Sequence, residues 1–431
     1  MQKRIEIAEI KTGKVFLKGW IHELRDLGKI KFLLLRDSSG IVQCVVKEEK
    51  LFEKFSNLTL ESVVAIGGIV RKSRIKSKEV TKKDIEIEVK KIDLLSKAEP
   101  LPISLKQEIK TGLAKRLDFR PIDLRKRRNT AIFKIQSALI EGMQKWLEDN
   151  GFVHVFTPCI IGSGSESGAE VFCVDYFGSK AFLRQDPQLH RQLCIIAGFE
   201  KIYDLGPNWR AEKSDTTKHL TEHRCMAVEI AFIRTEQDIM RIEEKIILAG
   251  IKNVLKKCSE ELGLLGVKLR TPKIPFPEIR FPKIYQILEK LGKRIEEGKD
   301  LDAESEKLLS SYVEKKYKTS FFFVNGFPFE VKPFYVYHDT KYARSVDLYF
   351  RNIELSSGGQ REHRYEILMK NIKEKKLGEK QLEWFTQFFK YGVPPHGGFA
   401  IGIERLTQAL LGLENIREAC LFPRDMERIL P

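Results

Sequence analysis

Lys201–Glu212, KIYDLGPNWRAE, is the stretch whose reading decides the fold. Polar and apolar residues alternate along it with a period of two, which is the period of a β-strand. Asp204, Gly206, Asn208, Arg210 and Glu212 fall on one face, and Tyr203, Leu205, Trp209 and Ala211 on the other. A strand that turns an arginine and a glutamate inward makes a costly core. It makes a sensible floor for a phosphate-bearing ligand, because a guanidinium is a fixed two-pronged donor to phosphate oxygens. The polar loop KSDTTKHLTE follows. Cys225–Phe232, CMAVEIAF, then reads as a second strand with Ala227, Glu229 and Ala231 on one side. Together they predict an antiparallel hairpin with a polar inner face.

Further along, HGGFAIGIERLTQALLG joins a glycine-rich strand to a helix. Gly397, Gly398 and Gly402 leave room for a ligand to approach the backbone. Arg405 falls in the first turn of that helix, where the free N–H groups also favour an anion. A hairpin arginine combined with a strand–helix arginine is a stronger signal than either alone.

Toward the N-terminus, residues 1 to about 95 read as short strands: VFLKGWI, KFLLLRD, GIVQCVV, SVVAIGGIV and DIEIEVKKIDLL. Five β-branched runs punctuated by Ser38-Ser39-Gly40 and Gly67-Gly68 suit an OB-type barrel, a fold that commonly binds oligonucleotides. Phe32, Arg36 and Gln43 could stack on or hydrogen-bond to unstacked bases. The plainer reading makes Phe32 a core residue and Arg36-Asp37 a turn pair. Residues 96 to about 125 form a basic stretch with prolines at 100, 102 and 121, expected to be a linker. A larger domain is expected over 126–431. Its first helix, roughly 128–149, places Ile132, Ile135, Leu139, Met143 and Trp146 on one stripe, with Gly151 at the C′ position. Residues 236 to about 325 read as charged helices with a proline-rich stretch, an insertion that carries no legible chemistry.

The composition bounds the classes. Of 431 residues 42% are hydrophobic, which is globular rather than disordered. No apolar run has the length of a membrane span, and the first eight residues have no signal-peptide core, so a cytoplasmic protein is expected. Seven scattered cysteines without a CxxC pair argue against a disulfide framework and against a zinc knuckle. The net charge of +16 favours a polyanionic partner, although a lysine-rich surface alone would give the same number.

FTPCI, GPNWRAE…HLTE…VEIAF and GGFAIGIERL resemble, in order, the three motifs of class II aminoacyl-tRNA synthetases. The finer resemblance is to aspartyl-tRNA synthetases of the archaeal and eukaryotic type. It runs through GWIHELRDLGKIKFLLLRDSSGIVQ, SESGAEVF, QDPQLHRQ, VKPFY, IELSSGGQREHRYEIL and NIREACLFPRD. The fold it implies is α+β: an N-terminal OB anticodon-binding barrel and an antiparallel catalytic sheet flanked by helices. It implies a homodimer with Pro158 at the interface, ATP and Mg²⁺, and as partners L-aspartate and tRNA(Asp), with tRNA(Asn) added if anticodon reading is relaxed. In such enzymes the amino-acid carboxylate attacks the α-phosphate of ATP, and the acyl group then passes to tRNA. By the same resemblance Arg210 grips the α-phosphate and Arg405 the γ-phosphate. Glu212, His219, Leu220 and Gly402 complete the nucleotide site, and Glu354 and Ser357 hold the metal. Glu166, Asp186, Gln188, Arg191, Ser357 and Arg361 surround the amino acid. His22 joins Phe32, Arg36 and Gln43 in reading the anticodon, and a histidine at its position is associated with relaxed tRNA choice.

The amino-acid pocket departs from the family pattern. Arg191 stands at a lysine position, Ala227 at an acidic one, Asp186 at a serine, and His223 where many relatives have phenylalanine. Asp186 followed by Pro187 reads as a helix N-cap. The sharper reading has Asp186 restore the negative charge lost at Ala227, next to the substrate ammonium. His223 either stacks on adenine or is an ordinary loop histidine. These changes leave open an asparaginyl-type or otherwise altered specificity, and a paralogue that binds tRNA without charging it.

Overall fold

The computed structural model describes residues 3–106, 109–162, 170–213 and 216–431, so Glu166 lies outside the described residues. The chain separates into two compact units between Thr111 and Gly112.

In the first unit β1 (Lys14–Asp26), β2 (Lys31–Arg36), β3 (Ile41–Val46), β4 (Val63–Lys72) and β5 (Ile85–Ser96) close into a barrel in the order β1-β2-β3-β5-β4. The period-two pattern sorts the side chains. Leu33, Leu35, Val42, Cys44 and Val46 point into the barrel core with Val15, Leu17 and Ile21. Phe32, Leu34, Arg36 and Gln43 therefore take the outer face. Phe32 is only partly buried and is not a core residue.

The second unit is built on one sheet. β6 (Val153–His154) precedes a small sheet of β7 (Ile160–Ile161), β8 (Cys173–Tyr176) and β9 (Ser179–Leu183). Then come β10 (Lys201–Trp209), β11 (Glu222–Ala231), β12 (Glu278–Arg280), β13 (Phe321–Asn325), β14 (Ser345–Phe350), β15 (Ile353–Gln360) and β16 (His396–Gly402). The main sheet has the order β12-β13-β14-β15-β16-β11-β10-β6. Its central pairings are antiparallel, and β12 on β13 and β10 on β6 are parallel.

One face of this sheet is apolar. Tyr203, Met226, Val228, Leu348, Phe399 and Ile401 pack on helices Arg127–Asp149 and Glu236–Lys257. The expected stripe of the first helix supplies the other side: Ile132, Ile135, Leu139 and Met143 are buried, and Trp146 packs at the edge. Truncating one such side chain to alanine costs about 2–5 kcal/mol, so this face is where the unit is anchored. The helix ends in a double cap, Gly151 N–H to Glu148 O at 3.1 Å and Phe152 N–H to Leu147 O at 3.1 Å. Gly151 has a φ of 78°, a left-handed value that favours glycine.

Two boundaries differ from the sequence reading. The expected linker is not one throughout, because Leu113–Asp118 and Arg120–Asp123 are helices of the larger unit. Arg120 is fully buried there and donates to the carbonyls of Glu418, Cys420 and Leu421. Nor is 236–325 an insertion as a whole: its first helix lies in the central core, and β12 and β13 extend the main sheet. What stands apart is the helix pair Lys283–Lys290 and Ala303–Tyr317, which has its own apolar cluster around Leu288 and Val313.

Candidate active site

The polar face of the sheet carries a cavity of about 310 Å³. The hairpin places it there. β10 and β11 pair with Asp204 opposite Ala227 and Asn208 opposite His223, so these side chains share the face away from the helices. β10 ends at Trp209, short of the expected Glu212, and Arg210 N–H then bonds Thr221 O at 2.9 Å. Gly398 of β16 is required by crowding: a Cβ there would lie 1.9 Å from Val228 O and 2.4 Å from Glu229 Oε2.

Arg210, Glu212, His219, Leu220, Glu354, Gly402 and Arg405 all line the cavity, as do Asp186, Gln188, Ser357 and Arg361. Arg405 lies in the first turn of helix Ile403–Leu411, its Nη1 3.2 Å from Glu354 O and 3.5 Å from Glu354 Oε1. Arg210 has no ion-pair partner among the described residues, which leaves its guanidinium available to a ligand. His223 is on β11 rather than in a loop. Burial and the nearby Arg210 and Arg405 guanidiniums push its pKa down to about 3, so the ring is neutral. His219 is shifted down by burial and by the same two arginines.

At the other end the side chains pair among themselves. Arg361 donates to both oxygens of Glu229, at 3.0 and 3.2 Å, and to Gln188 Oε1 at 3.0 Å. Gln188 Nε2 donates to Glu229 Oε2 at 2.9 Å. Asp186 is not an N-cap: helix Gln188–Ile196 starts after Pro187 with no side-chain cap bond. Its oxygens instead lie 2.7 and 2.6 Å from Arg191 Nη2. Arg191 is 2% exposed and sits behind Asp186, not on the cavity wall.

The structure adds residues the sequence reading passed over. Asp347 of β14 is cross-strand from Ser357, and Lys332 Nζ holds its Oδ2 at 3.0 Å. Its Oδ1 is buried with no partner. Burial and Glu354 raise its pKa against the opposing pull of Lys332. Glu306, from helix Ala303–Tyr317, is pushed up to about 6 by burial and by Glu354, and it accepts from Tyr349 Oη at 3.3 Å. An aspartate in the otherwise apolar strand SVDLYF, just ahead of IELSS, was the one available signal for Asp347.

On the barrel, Arg36 is 5% exposed and donates to both oxygens of Glu61 at 2.8 and 2.7 Å. It also donates to His22 Nδ1 at 3.1 Å, which leaves Nε2–H to meet Glu79 at 2.9 Å. Gln43 Nε2 reaches Glu86 at 3.1 Å. Of the four expected anticodon residues, Phe32 is the one with no polar engagement in this face.

A five-stranded OB barrel joined to an antiparallel-rich sheet with this arginine-lined cavity defines an aminoacyl-tRNA synthetase of class II. The family model "tRNA synthetases class II (D, K and N)" matches residues 113–426, and the chain belongs to that family. The model "OB-fold nucleic acid binding domain" matches residues 15–95. The chain is 41% identical to the aspartate–tRNA(Asp) ligase of Thermococcus kodakarensis, over 99% of this chain and 98% of that one. It is 39% identical to the aspartate–tRNA(Asp/Asn) ligase of Aeropyrum pernix, over 97% and 96%. Among solved structures, the asparaginyl-tRNA synthetase of Pyrococcus horikoshii with asparaginyl-adenylate matches at a TM-score of 0.91 and 32% identity, over the full length of both chains. The aspartyl-tRNA synthetase of Entamoeba histolytica matches at 0.89 and 30%, covering 100% of this chain and 93% of that one.

Proposed function

We propose that the chain activates L-aspartate with ATP and transfers the aspartyl group to tRNA(Asp), with tRNA(Asn) as a second acceptor. The observation that carries this reading is the convergence of Arg210 and Arg405, far apart in sequence, on one cavity whose opposite end carries Arg361, with Arg191 buried behind Asp186. The aspartate α-carboxylate attacks the α-phosphorus, pyrophosphate leaves with the broken P–O bond, and an acyl-adenylate remains. Arg210 neutralises charge on the phosphate under attack, and Arg405 holds the departing end; fixed cations at such points typically contribute 10²–10³-fold, roughly, in rate. Glu212, His219, Leu220 and Gly402 complete the nucleotide pocket, and neutral His223 offers a flat ring for a base.

The residues present fit Mg²⁺. Buried Asp347 Oδ1 lacks a partner, and Glu354 and Ser357 lie on the neighbouring strand. An ion that takes few protein ligands and shares phosphate oxygens needs no more than these groups. Bound there, the ion would offset negative charge on the polyphosphate.

The net charge of +16 and the barrel support tRNA as the partner. Phe156, Phe177, Ile160 and Tyr176 are exposed at 83%, 93%, 49% and 51%, and with exposed Pro158 they support a homodimer through this surface. No helix among the described residues is long and apolar enough to cross a membrane, and a cytoplasmic location fits the reaction. A second reading, asparagine as substrate, is favoured by one observation: Asp186 already neutralises Arg191. ATP–pyrophosphate exchange with each amino acid in turn separates the two. Exchange with aspartate alone is expected, and exchange with asparagine alone refutes the aspartate reading.

A further inference from the structure

Asp186 and Arg191 form a pair that the aspartate reading must break. Arg184, Arg191 and Arg361 at this end are matched by Asp186, Asp204 and Glu229, so the pocket is balanced before any ligand enters. An aspartate side chain directed at Arg191 would add a carboxylate beside Asp186 in a poorly hydrated place, where like charges repel strongly. Its α-ammonium would then need an acid. Asp186, Glu212, Glu354 and Glu404 are the acids on the cavity wall among the described residues. Glu354 lies beside Arg405, Glu404 accepts from the Arg224 N–H at 2.9 Å, and Glu212 follows Arg210. Asp186 is left as the acid at the Gln188–Arg361 end, with a side chain 37% exposed, whereas that of Arg191 is 2% exposed. Both Asp186 oxygens crowd one nitrogen of Arg191, while Arg191 Nε is buried with no acceptor. The guanidinium is thus occupied but not saturated.

We propose that Asp186 is an exchangeable counter-ion: it holds Arg191 in the empty pocket and passes to the substrate α-ammonium when the substrate carboxylate takes its place on Arg191. The exchange conserves the charge balance, since one carboxylate replaces another on Arg191 and the ammonium accompanies the one released. It makes binding of an acidic side chain conditional on an α-ammonium, so the pocket takes amino acids and resists plain dicarboxylates. This rests on the aspartate reading above.

The test compares aspartate with succinate, the same dicarboxylate without the amine, in the whole enzyme and in the variants Asp186→Ala and Asp186→Asn. Aspartate KM in pyrophosphate exchange should rise about 10- to 100-fold in Asp186→Ala, the cost of one charge-assisted hydrogen bond. Succinate should inhibit the same variant more tightly than the parent, because Arg191 is freed. Asp186→Asn keeps the shape and should move both ligands in the same two directions, so a poorly folded alanine variant does not decide the matter. Opposite shifts for the two ligands support the exchange. Equal weakening of both, improvement of both, or no change in either overturns it. A parent enzyme that exchanges with another amino acid but not with aspartate refutes the aspartate reading itself, a result distinct from these.

Discussion

Replacing Glu243 by glutamine should stabilise the larger unit in alkaline solution and leave it nearly unchanged in acid. Glu243 lies in helix Glu236–Lys257 beneath the sheet, 1% exposed, with its carboxyl on Ser356 Oγ of β15. Burial, reinforced by Asp347 and Glu244, pushes its pKa from 4.5 up to about 8. The sign follows from proton uptake. Between these two values the folded protein holds a proton that the unfolded chain has released, so stability falls as pH rises through the window and levels off above it. At about 1.4 kcal/mol for each pH step across that window, the accumulated loss has a ceiling on the order of 5 kcal/mol. Glutamine keeps the shape and a neutral hydrogen bond to Ser356 but has no proton to lose. Calorimetric unfolding of both proteins from about pH 5 to about pH 8.5 should therefore show melting curves that coincide at the acid end and separate progressively. Parallel pH profiles would falsify the linkage and mean that Glu243 is ionised in the fold.

Other perturbations have their own signatures. Arg405→Ala should slow pyrophosphate exchange roughly 10²–10³-fold. Its unfolding midpoint should not move, because the side chain is 25% exposed and among the described residues bonds only Glu354; a destabilised protein would point to a structural arginine instead. Glu229→Ala strands the buried Arg361 guanidinium and should cost about 3–5 kcal/mol in chemical denaturation. A loss well under that would mean water reaches the pair. Phe32→Ala should weaken tRNA binding by about 1–3 kcal/mol in a filter assay while amino-acid activation stays intact. An equal loss of activation would remove Phe32 from any base-stacking role.

The hairpin was legible because alternation is a local signal, and the barrel because five β-branched runs lie between turn residues. In KIYDLGPNW each side chain's face follows from its neighbours and the observed register agrees, but the strand stops at Trp209, before Arg210 and Glu212. Arg210 and Arg405 stood out because a cation on a strand floor or a helix's first turn violates the pattern of a core. Lys332 and Glu306 were not legible, and Asp347 stood out only as an acid in an apolar strand, since nothing in these segments says they will meet Glu354. That meeting is made by β14 pairing with β15 and by the docking of helix Ala303–Tyr317, which are tertiary events. Asp186 misled for a related reason. Asp-Pro is a good helix start, but a buried guanidinium five residues on competes for the carboxylate and wins, because an unpaired Arg191 would cost more than an uncapped helix.

The strap formed by residues 416–424 has a consequence for the order of biosynthesis. Ile416 N–H bonds Thr217 O at 2.9 Å, Thr221 N–H bonds Arg424 O at 3.0 Å, and Arg120 grips the carbonyls between. The loop with His219 and Leu220 leaves the ribosome long before the segment that fastens it. During translation the hairpin floor can pair with itself before Gln408 and then the strap reach its loop. A nascent chain cut short before residue 416 would keep the bond from Gln408 Nε2 to Thr217 O but lack the two backbone bonds of the strap.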